Sequence, residues 1–325
     1  GPVNWAPHNP APLPGMVRLW TLEAMAHGAE LVSYFRWRQA PFAQEQMHAG
    51  LLRPDCTEDI GAKEAAQAAN DIAKVGNVGA APRSVALVFN YESEWVTDTQ
   101  PQGRGFSALR LAFEWYSALR QQGLDVDIVS PGTELSGYAM ALVPCLPMLP
   151  PGFVAQLAAF TGPVLIGPRT GSKTADFSIP PTLAPGELQT LLPLRVVRVE
   201  SLREGLLEQG DGFAIHHWLE QVETSLAAEE VLADGRGVLF KSGACRYLAG
   251  WPDARLLRRL LTHMATEAGL DTVELPEGLR LRRTRQYTFA FNYANHENAI
   301  PDGEAKQYQL GGAMLPPAGV AAWRR

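Results

Sequence analysis

The stretch SVALVFNYESEWVTDTQPQGRGFSALRLAFEWYSALRQQGLDVDIVS, residues 84–130, decides the fold class. It begins with a run of apolar side chains, residues 84–90, which predicts a strand buried on both faces. Residues 106–122 have the apolar spacing of a helix, with Gly123 as its C-cap, and residues 126–130 form a second buried strand. A strand, a helix and a strand in this order predict parallel α/β packing.

The same alternation continues behind this stretch. Residues 138–144 predict a third strand, 153–160 a short helix and 163–167 a fourth strand. Strands that alternate with helices at this spacing predict a doubly wound parallel sheet, in a domain that ends near Leu275. Residues 198–221 are less regular. The later elements are two paired strands at 237–241 and 245–250 and an amphipathic helix at 253–268.

The segment before this domain has a related rhythm. Residues 1–15, GPVNWAPHNPAPLPG, are rich in Pro and Asn and predict an irregular, rigid loop. A helix at 16–30 with Gly28 near its end, a strand at 31–37 and a helix at 58–75 follow. This order is typical of a parallel α/β unit, in which functional side chains lie on the loops after strands.

The end of the chain has a different pattern. Residues 279–295, LRLRRTRQYTFAFNYAN, alternate with a period of two and place Tyr287, Phe289 and Phe291 on one side. This alternation predicts a half-exposed antiparallel sheet. We therefore expect a small β domain over residues 276–325.

The composition excludes several classes of protein. The chain has 325 residues, 46% of them apolar and 19% charged, and a formal net charge of -6, which offers no footprint for nucleic acid. No apolar run reaches the ~20 residues of a membrane-spanning helix. Three Cys are too few and too widely spaced for a disulfide framework or a zinc cluster. With no secretion signal visible, we expect a soluble, cytoplasmic protein with no bound metal or cofactor.

Two cysteines raise the question of nucleophilic catalysis. Class I amidotransferases share the doubly wound architecture and place a Cys on a tight turn after a strand. Cys145 follows a strand, but in PCLP, where prolines stand in place of the glycines that a strained turn requires. Cys245 lies in GACR, which lacks the second Gly. We expect both to be small apolar side chains of the core.

Two further motifs each have a structural and a functional interpretation. His216 and His217 would point to opposite faces of a strand and have no metal-ligand partners at suitable spacing, so a surface or capping role is favoured. PRTGSK, residues 168–173, is a cationic, Gly-containing turn after a strand. It could hold an anion, although a plain structural turn is the favoured interpretation.

The first fifty residues carry a dense set of aromatic and polar groups. Sugar sites need flat rings against the apolar sugar face and carboxylate, amide or imidazole groups for the hydroxyls. The alternative is that the aromatic residues are core and the polar ones are loop surface, and composition alone favours neither. The set comprises Trp5, Phe35, Trp37, Arg38, Gln39, Glu45 and His48.

Longer motifs in this chain resemble one family. GPVNWAPHNPAPLPG at residues 1–15 resembles the segment after the seventh barrel strand in β-galactosidases of glycoside hydrolase family 42. YFRWRQAPFAQEQMHAGLL at residues 34–52 resembles the eighth strand and loop of the same barrel. FNYESEW, QPQG and PRTG resemble the family's second domain. The resemblance implies the end of a TIM barrel at residues 1–78, an amidotransferase-like trimerisation domain at 79–275 and a small β domain at 276–325.

The resemblance also implies roles for individual residues. Trp5 would be the aromatic platform beside galactose, Phe35 would line the same pocket, and Glu45 and His48 would bind sugar hydroxyls. The family's nucleophile and acid/base, both Glu, are expected upstream of Gly1, so this chain would contain no catalytic residue and would be inactive alone. Expected partners are a galactoside, two further copies in a homotrimer and the N-terminal part of the barrel.

Two rival hypotheses belong to other classes. One is a non-catalytic oligomerisation or sugar-binding module, which the unpaired edge of an incomplete barrel disfavours. The other is an amidotransferase-like hydrolase that uses Cys145 or Cys245, which the missing nucleophile elbow disfavours.

Overall fold

The computed structural model describes residues 7–325, so Trp5 lies outside the described residues. In chain order the helices are α1 (Met16–Ala26), α2 (Ile60–Val75), α3 (Tyr91–Thr99), α4 (Ala108–Gln121), α5 (Phe153–Ala159) and α6 (Ala254–Glu267). The strands are β1 (Val85–Val88), β2 (Val126–Val129), β3 (Met140–Val143), β4 (Val164–Ile166), β5 (Leu194–Ser201), β6 (Glu208–Gly210), β7 (Phe213–Thr224), β8 (Ala228–Val231), β9 (Gly237–Ser242), β10 (Cys245–Leu248), β11 (Gly250–Pro252), β12 (Leu279–Arg283), β13 (Tyr287–Asn292), β14 (Asn298–Ala299), β15 (Tyr308–Leu310), β16 (Met314–Leu315) and β17 (Val320–Arg324).

The chain forms two compact units. The central unit is residues 83–272, and the outer unit combines residues 7–82 with Val273–Arg325. The segments at 1–78 and 276–325, expected to be separate domains, thus contribute their described residues to one unit. The division into three domains stays a prediction.

The central unit has a seven-stranded mixed sheet in the order β2-β1-β3-β4-β10-β9-β8. Strands β1 to β4 and β10 are parallel, whereas β8 and β9 are antiparallel. The four residues of β1 and of β3 are all buried, as their continuous apolar runs predict. The predicted α/β class is confirmed.

Two apolar layers cover this sheet. On one face α4 and α6 supply Trp115, Leu119, Leu256 and Leu260. On the other face Phe153 and others of α5 pack against the opposite side chains of the same strands. Because alternate strand residues enter different layers, the central strands β1 and β3 need apolar residues at every position.

A second sheet of the central unit was not expected. Strands β11, β7 and β5 are antiparallel, with β6 also paired to β7. Residues 198–221, whose sequence pattern is less regular, include the end of β5 and most of β7, which covers Phe213–Thr224. In β5 a register shift between Val196 and Arg198 interrupts the period of two, and in β7 the left-handed backbone of His217 does so, which explains why the pattern was hidden in the sequence.

The four-stranded sheet of the outer unit has a central strand, β13, that is buried on both faces. Its strands have the order β12-β13-β17-β15, and all six residues of β13 are buried. Tyr287, Phe289 and Phe291 share a core with Leu19 and Leu22 of α1. The predicted alternation is confirmed, but the expectation of a half-exposed sheet is wrong for β13.

The opposite face of β13 is covered by the end of the chain itself. Ala290 shares a second core with Leu275, Ile300 and Leu315, which come from the segments before β12 and after β13. Leu315 belongs to β16, which pairs with β14 in a two-stranded sheet, and Ile300 directly follows β14. The cover therefore combines this short sheet with loop residues such as Leu275.

Glu64 of α2 fixes the start of α1. The N-cap residue of α1 is Gly15, which has a φ of 95° and no side chain to cap the helix. The buried Glu64 carboxylate instead accepts hydrogen bonds from the backbone N–H of Gly15 at 2.6 Å and of Val17 at 2.9 Å. One turn later Arg18 donates to Asp71 at 2.6 Å. Two polar contacts thus set how α1 lies along α2.

The segment after α1 departs from expectation. The helix ends at Ala26 rather than residue 30, with Gly28 in the left-handed region at a φ of 97°. Residues 31–37 do not form the expected strand within the described part of the chain. A strand needs a neighbour for its backbone hydrogen bonds. Here the carbonyls of Arg36 and Trp37 accept from Leu51 and Leu52, and the adjacent Arg38 forms an isolated bridge with Leu52, which is too little pairing for a strand.

We expect Glu64→Gln to lower the free energy of unfolding by about 1–3 kcal/mol, because buried helix N–H donors lose a charged acceptor. A urea titration followed by circular dichroism measures the change. Lys63→Gln, which removes a charge from the exposed side of α2, is the matched control and should change stability little. Equal stability of the two variants would contradict the capping role.

Candidate functional site

The loop between α1 and α2 carries three of the four predicted site residues. Backbone hydrogen bonds close the loop, from the N–H of Leu51 to Arg36 at 2.8 Å and from the N–H of Leu52 to Trp37 at 2.8 Å. Gln39 donates its backbone N–H back to Leu52 at 2.9 Å. Residues 36–52 therefore form a closed loop whose two ends support each other.

Phe35, Glu45 and His48 lie together around Arg36. The guanidinium of Arg36 donates to Oε2 of Glu45 at 2.5 Å and lies 4.7 Å from the centroid of the Phe35 ring. Nδ1 of His48 is 3.4 Å from the same Oε2 atom. The rings of Phe35 and His48 meet edge to face, with centroids 6.2 Å apart. We call these four residues the loop cluster.

The members of the loop cluster differ in exposure. His48 is 3% exposed, the side chain of Glu45 is 43% exposed, and Phe35 is 76% exposed. Oε1 of Glu45 has no hydrogen-bond partner among residues 7–325. An open aromatic face beside a carboxylate with a free acceptor suits a ligand that has an apolar face and hydroxyl groups.

Arg36 is the member that the sequence interpretation missed. It stands between Phe35 and Trp37 in FRW, and an arginine in such a motif is a signal for a carboxylate partner. The neighbouring candidates Arg38 and Gln39 form their side-chain hydrogen bonds with other residues of the segment between α1 and α2. Arg38 donates to Sγ of Cys56 at 3.0 Å, and Gln39 donates to the carbonyl of Gln46 at 2.6 Å.

An open cleft of about 470 Å³ adjoins the loop cluster within the outer unit. Phe35 and Arg36 line it together with Trp20, Tyr34 and Ile60, whereas Glu45 and His48 do not. Tyr34 exchanges a hydrogen bond of 2.9 Å with the hydroxyl of Thr21. Phe35 thus presents one side to the polar cluster and another to an apolar cleft.

The cysteines of the central unit are core residues, as expected. Cys145 and Cys245 are buried in the two apolar layers of the mixed sheet. Burial raises the pKa of the Cys145 thiol to about 12 and also raises that of Cys245. Neither thiol has the lowered pKa of a nucleophile. In residues 7–325 no group of three or more His, Cys, Asp or Glu could hold a metal ion, and no helix of this part is long and apolar enough to cross a bilayer.

His216 and His217 do not lie on opposite faces, so that expectation is wrong. His217 has a φ of 59°, and this left-handed backbone breaks the alternation within β7. Both rings consequently pack beside Trp251, with their own centroids 4.6 Å apart. Nε2 of His216 is 3.1 Å from the carbonyl of Pro252.

The surroundings of this pair disfavour positive charge. Burial is the main cause that lowers the pKa of both His216 and His217. For His217 the neighbouring His216 and then Arg110 lower it further, while Glu114 acts in the opposite direction. The two imidazoles therefore fit the folded protein best when they are neutral.

We expect acid to destabilise the protein through this pair. An unfolded imidazole binds a proton near pH 6.5, whereas these two bind one only at lower pH. Below about pH 6.5 the unfolded state binds more protons, so the free energy of unfolding falls until the folded pKa values are passed.

The double variant His216→Gln with His217→Asn should lose less stability between pH 7 and pH 5 than the unmodified chain. Asn suits the left-handed backbone at position 217. Urea titrations at both pH values measure the difference, with His296→Gln at an exposed position as control. The same loss in the double variant would refute the assignment.

The chain is similar to known proteins in both sequence and structure. Residues 83–271 match the family model described as β-galactosidase trimerisation domain, and residues 1–75 match the model described as β-galactosidase. A β-galactosidase of Thermus thermophilus is 53% identical over 327 residues, which cover 99% of this chain and 51% of that protein.

Solved structures agree with the sequence matches. A β-galactosidase from Marinomonas ef1 superposes with a TM-score of 0.96 at 42% identity, covering 100% of this chain and 52% of that one. A β-galactosidase from Halorubrum lacusprofundi superposes with a TM-score of 0.90 at 32% identity, again covering 100% of this chain and 52% of that one. The chain thus spans about half the length of the relatives that it matches.

Proposed function

Since the chain belongs to the β-galactosidases of glycoside hydrolase family 42, we propose that it is the C-terminal portion of an enzyme that releases terminal β-galactose. The loop cluster is the observation that carries this proposal. Its exposed Phe35 ring offers a stacking face, and Glu45 offers a carboxylate oxygen without a partner in the described residues. Trp5, outside the described residues, would add a second aromatic face.

The chemistry of a retaining glycosidase needs two carboxylates, a nucleophile and an acid/base, about 5–5.5 Å apart. Glu45 is tied to Arg36 and His48, which suits a residue that binds hydroxyls better than one that attacks carbon. We propose that both catalytic Glu belong to the preceding half of the enzyme. The present chain would then supply binding energy and no reacting group.

The exposed apolar side chains of residues 31–37 also support this proposal. Leu31, Phe35 and Trp37 are strongly exposed although their sequence is that of a buried strand. We propose that this segment is the eighth strand of a TIM barrel and gains its neighbours from the preceding half. The central unit would be the amidotransferase-like domain, and the three free cysteines fit a cytoplasmic enzyme.

The first test uses a nitrophenyl β-galactoside. We expect the 325-residue chain alone to show no cleavage, and co-expression with a family N-terminal half to restore it. In the restored enzyme, Glu45→Gln should lower kcat/KM about 10- to 100-fold, because a charged hydrogen bond to the sugar is lost. Glu58→Gln, at an exposed position near α2, is the matched control.

The outcomes separate the hypotheses. Cleavage by the chain alone would show that it contains its own catalytic groups. A restored enzyme that is indifferent to Glu45→Gln would remove the loop cluster from the galactose site. Failure to restore any activity, with galactose still bound by the chain, would favour the non-catalytic sugar-binding module.

The central unit also offers a surface for the trimer that its family description implies. Tyr91 and Trp95 stand one turn apart on α3, stacked with centroids 6.4 Å apart, and are 63% and 60% exposed. Leu109 and Phe113 repeat this exposed i, i+4 arrangement on the neighbouring α4. We propose that these four side chains, the aromatic face, contribute to the interface with another copy of the chain.

We expect Trp95→Ser to weaken self-association, because an exposed aromatic anchor is removed. Light scattering after size exclusion should give three times the chain mass for the unmodified protein and a shift towards the monomer for the variant. Ile128→Ser, at an exposed position of the edge strand β2, serves as control. A trimer that Trp95→Ser leaves intact would exclude the aromatic face, and a monomeric unmodified chain would exclude the trimer.

A further inference from the structure

The turn at residues 169–173 follows β4 and is held rigidly by the chain that follows β3. The N–H of Gly171 donates to the carbonyl of Leu146 at 2.9 Å, and the N–H of Lys173 donates to Pro147 at 3.0 Å. The hydroxyl of Thr170 accepts from the N–H of Leu146 at 3.1 Å. Since β3 and β4 are parallel, the turn lies at the carboxyl edge of the sheet, where ligands of open α/β sheets bind.

The backbone of this turn leaves little freedom to its side chains. Gly171 has a φ of 66°, and a Cβ there would meet the carbonyl oxygen of Pro185 at 2.1 Å. Arg169 has a φ of 66° as well, an uncommon conformation for a residue with a side chain. Its N–H donates to Glu220 at 3.0 Å, and its guanidinium lies over the Trp218 ring at 5.3 Å. The position of the guanidinium is therefore set in advance.

The turn carries two positive charges, those of Arg169 and Lys173. In the part of the chain that the structure describes, neither Arg169 nor Lys173 forms an ion pair; Nζ of Lys173 contacts only the carbonyl of Phe177, at 3.4 Å. Asp176, the acid nearest in sequence, accepts instead from the hydroxyl of Thr174. Burial and then the charge of Arg169 lower the pKa of Lys173, so the two cations repel each other.

Other arginines of the central unit show the usual arrangement. Arg246, almost wholly buried, donates to Glu229 at 2.9 Å and to Glu267 at 2.7 Å. Arg236 is paired with three separate carboxylates. Partly buried cations in proteins are normally compensated in this way. The turn is an exception within its own domain.

A buried hydroxyl accompanies the two cations. Ser172 is 3% exposed, and its Oγ has no hydrogen-bond partner among the described residues. Buried hydroxyls normally have a partner, because an unsatisfied one costs about 1–3 kcal/mol. The turn thus combines two cations that form no ion pair within residues 7–325 with a hydroxyl that can still donate.

We propose that residues 169–173 form a binding site for a small oxyanion. The Arg169 guanidinium would take two oxygens side by side, as it does with carboxylate or phosphate, and Lys173 would add a point charge. The bound anion would remove the repulsion between the two cations. This site lies wholly in the central unit and depends on none of the residues of the loop cluster.

Isothermal titration of the full chain with inorganic phosphate, and separately with acetate, tests the site. Chloride is used to hold the ionic strength constant. We expect binding of at least one anion with a dissociation constant of about a millimolar or tighter. Lys173→Gln and Arg169→Gln should each weaken it tenfold or more, and Ser172→Ala should weaken it less. Arg203→Gln, an exposed arginine of the same unit, should leave the constant within twofold.

The relative affinities of phosphate and acetate identify which oxyanion class the site prefers. No binding of either anion, or an affinity that neither Lys173→Gln nor Arg169→Gln lowers, would overturn the proposal. If Arg169→Gln does not fold because position 169 has a positive φ, Lys173→Gln alone tests the site, since residue 173 is not among the residues with a positive φ. Phosphate should also raise the melting temperature of the unmodified chain and not that of Lys173→Gln.

Discussion

The outer unit depends on the burial of β13 on both of its faces. Tyr287, Phe289 and Phe291 join helices from the beginning of the chain to a sheet formed by its end. These contacts bridge more than 200 residues of sequence, so chain connectivity alone would not bring the two parts together. Each large side chain removed from water contributes about 1.5–3 kcal/mol, which makes this shared core the main source of stability for α1 and α2.

The position of the loop cluster depends on this core, because the core holds α1 and α2 in place. Its loop leaves α1 and enters α2, and the two helices are tied together by Glu64 at the start of α1 and by Arg18 with Asp71 one turn later. The loop can therefore carry an exposed ring such as Phe35 without a core of its own. Functional groups on a loop that a rigid pair of helices supports are a common solution.

The sequence correctly predicted the elements whose apolar residues recur at regular spacing. The strands β1 to β4 and the helices α2, α4, α5 and α6 correspond to expected elements, because their apolar spacing persists over a strand or several helical turns. Helix α3 was missed, although Asn90 caps it by accepting from the N–H of Ser93 at 3.2 Å. Strand β5 was missed because a bulge interrupts its alternation. Residues 31–37 failed as a strand because propensity cannot supply a neighbour.

For the candidate site, too, the sequence indicated residue types but not the contacts between them. Phe35, Glu45 and His48 could be named from residue types and the family resemblance, but the contact that joins them runs through Arg36, whose partner is nine residues away. Which face a side chain takes also escapes the sequence when one residue leaves the regular backbone, as His217 does. The role of Trp5 as an aromatic platform rests on the family resemblance alone, since Trp5 lies outside the described residues.

Buried polar groups show how to separate structural from functional residues in this chain. Glu220 is almost wholly buried, yet it accepts from the N–H of Arg169, from Nε1 of Trp218 at 3.1 Å and from the hydroxyl of Tyr247 at 2.5 Å. The hydrogen-bonding capacity of Glu220 is thus used within the fold. Burial of Tyr247, together with the charge of Glu220, raises the pKa of Tyr247 well above the ordinary value.

Glu45 and Arg169 are different, because the fold satisfies only part of what they can bind. Glu45 keeps one oxygen without a partner in the described residues, and the Arg169 guanidinium has an aromatic neighbour but no carboxylate there. A residue that is fixed in place and still has bonding capacity to offer is prepared for a ligand, because little further ordering is needed when the ligand arrives. This criterion supports the two proposals, a sugar site at Glu45 in the outer unit and an anion site at Arg169 in the central unit.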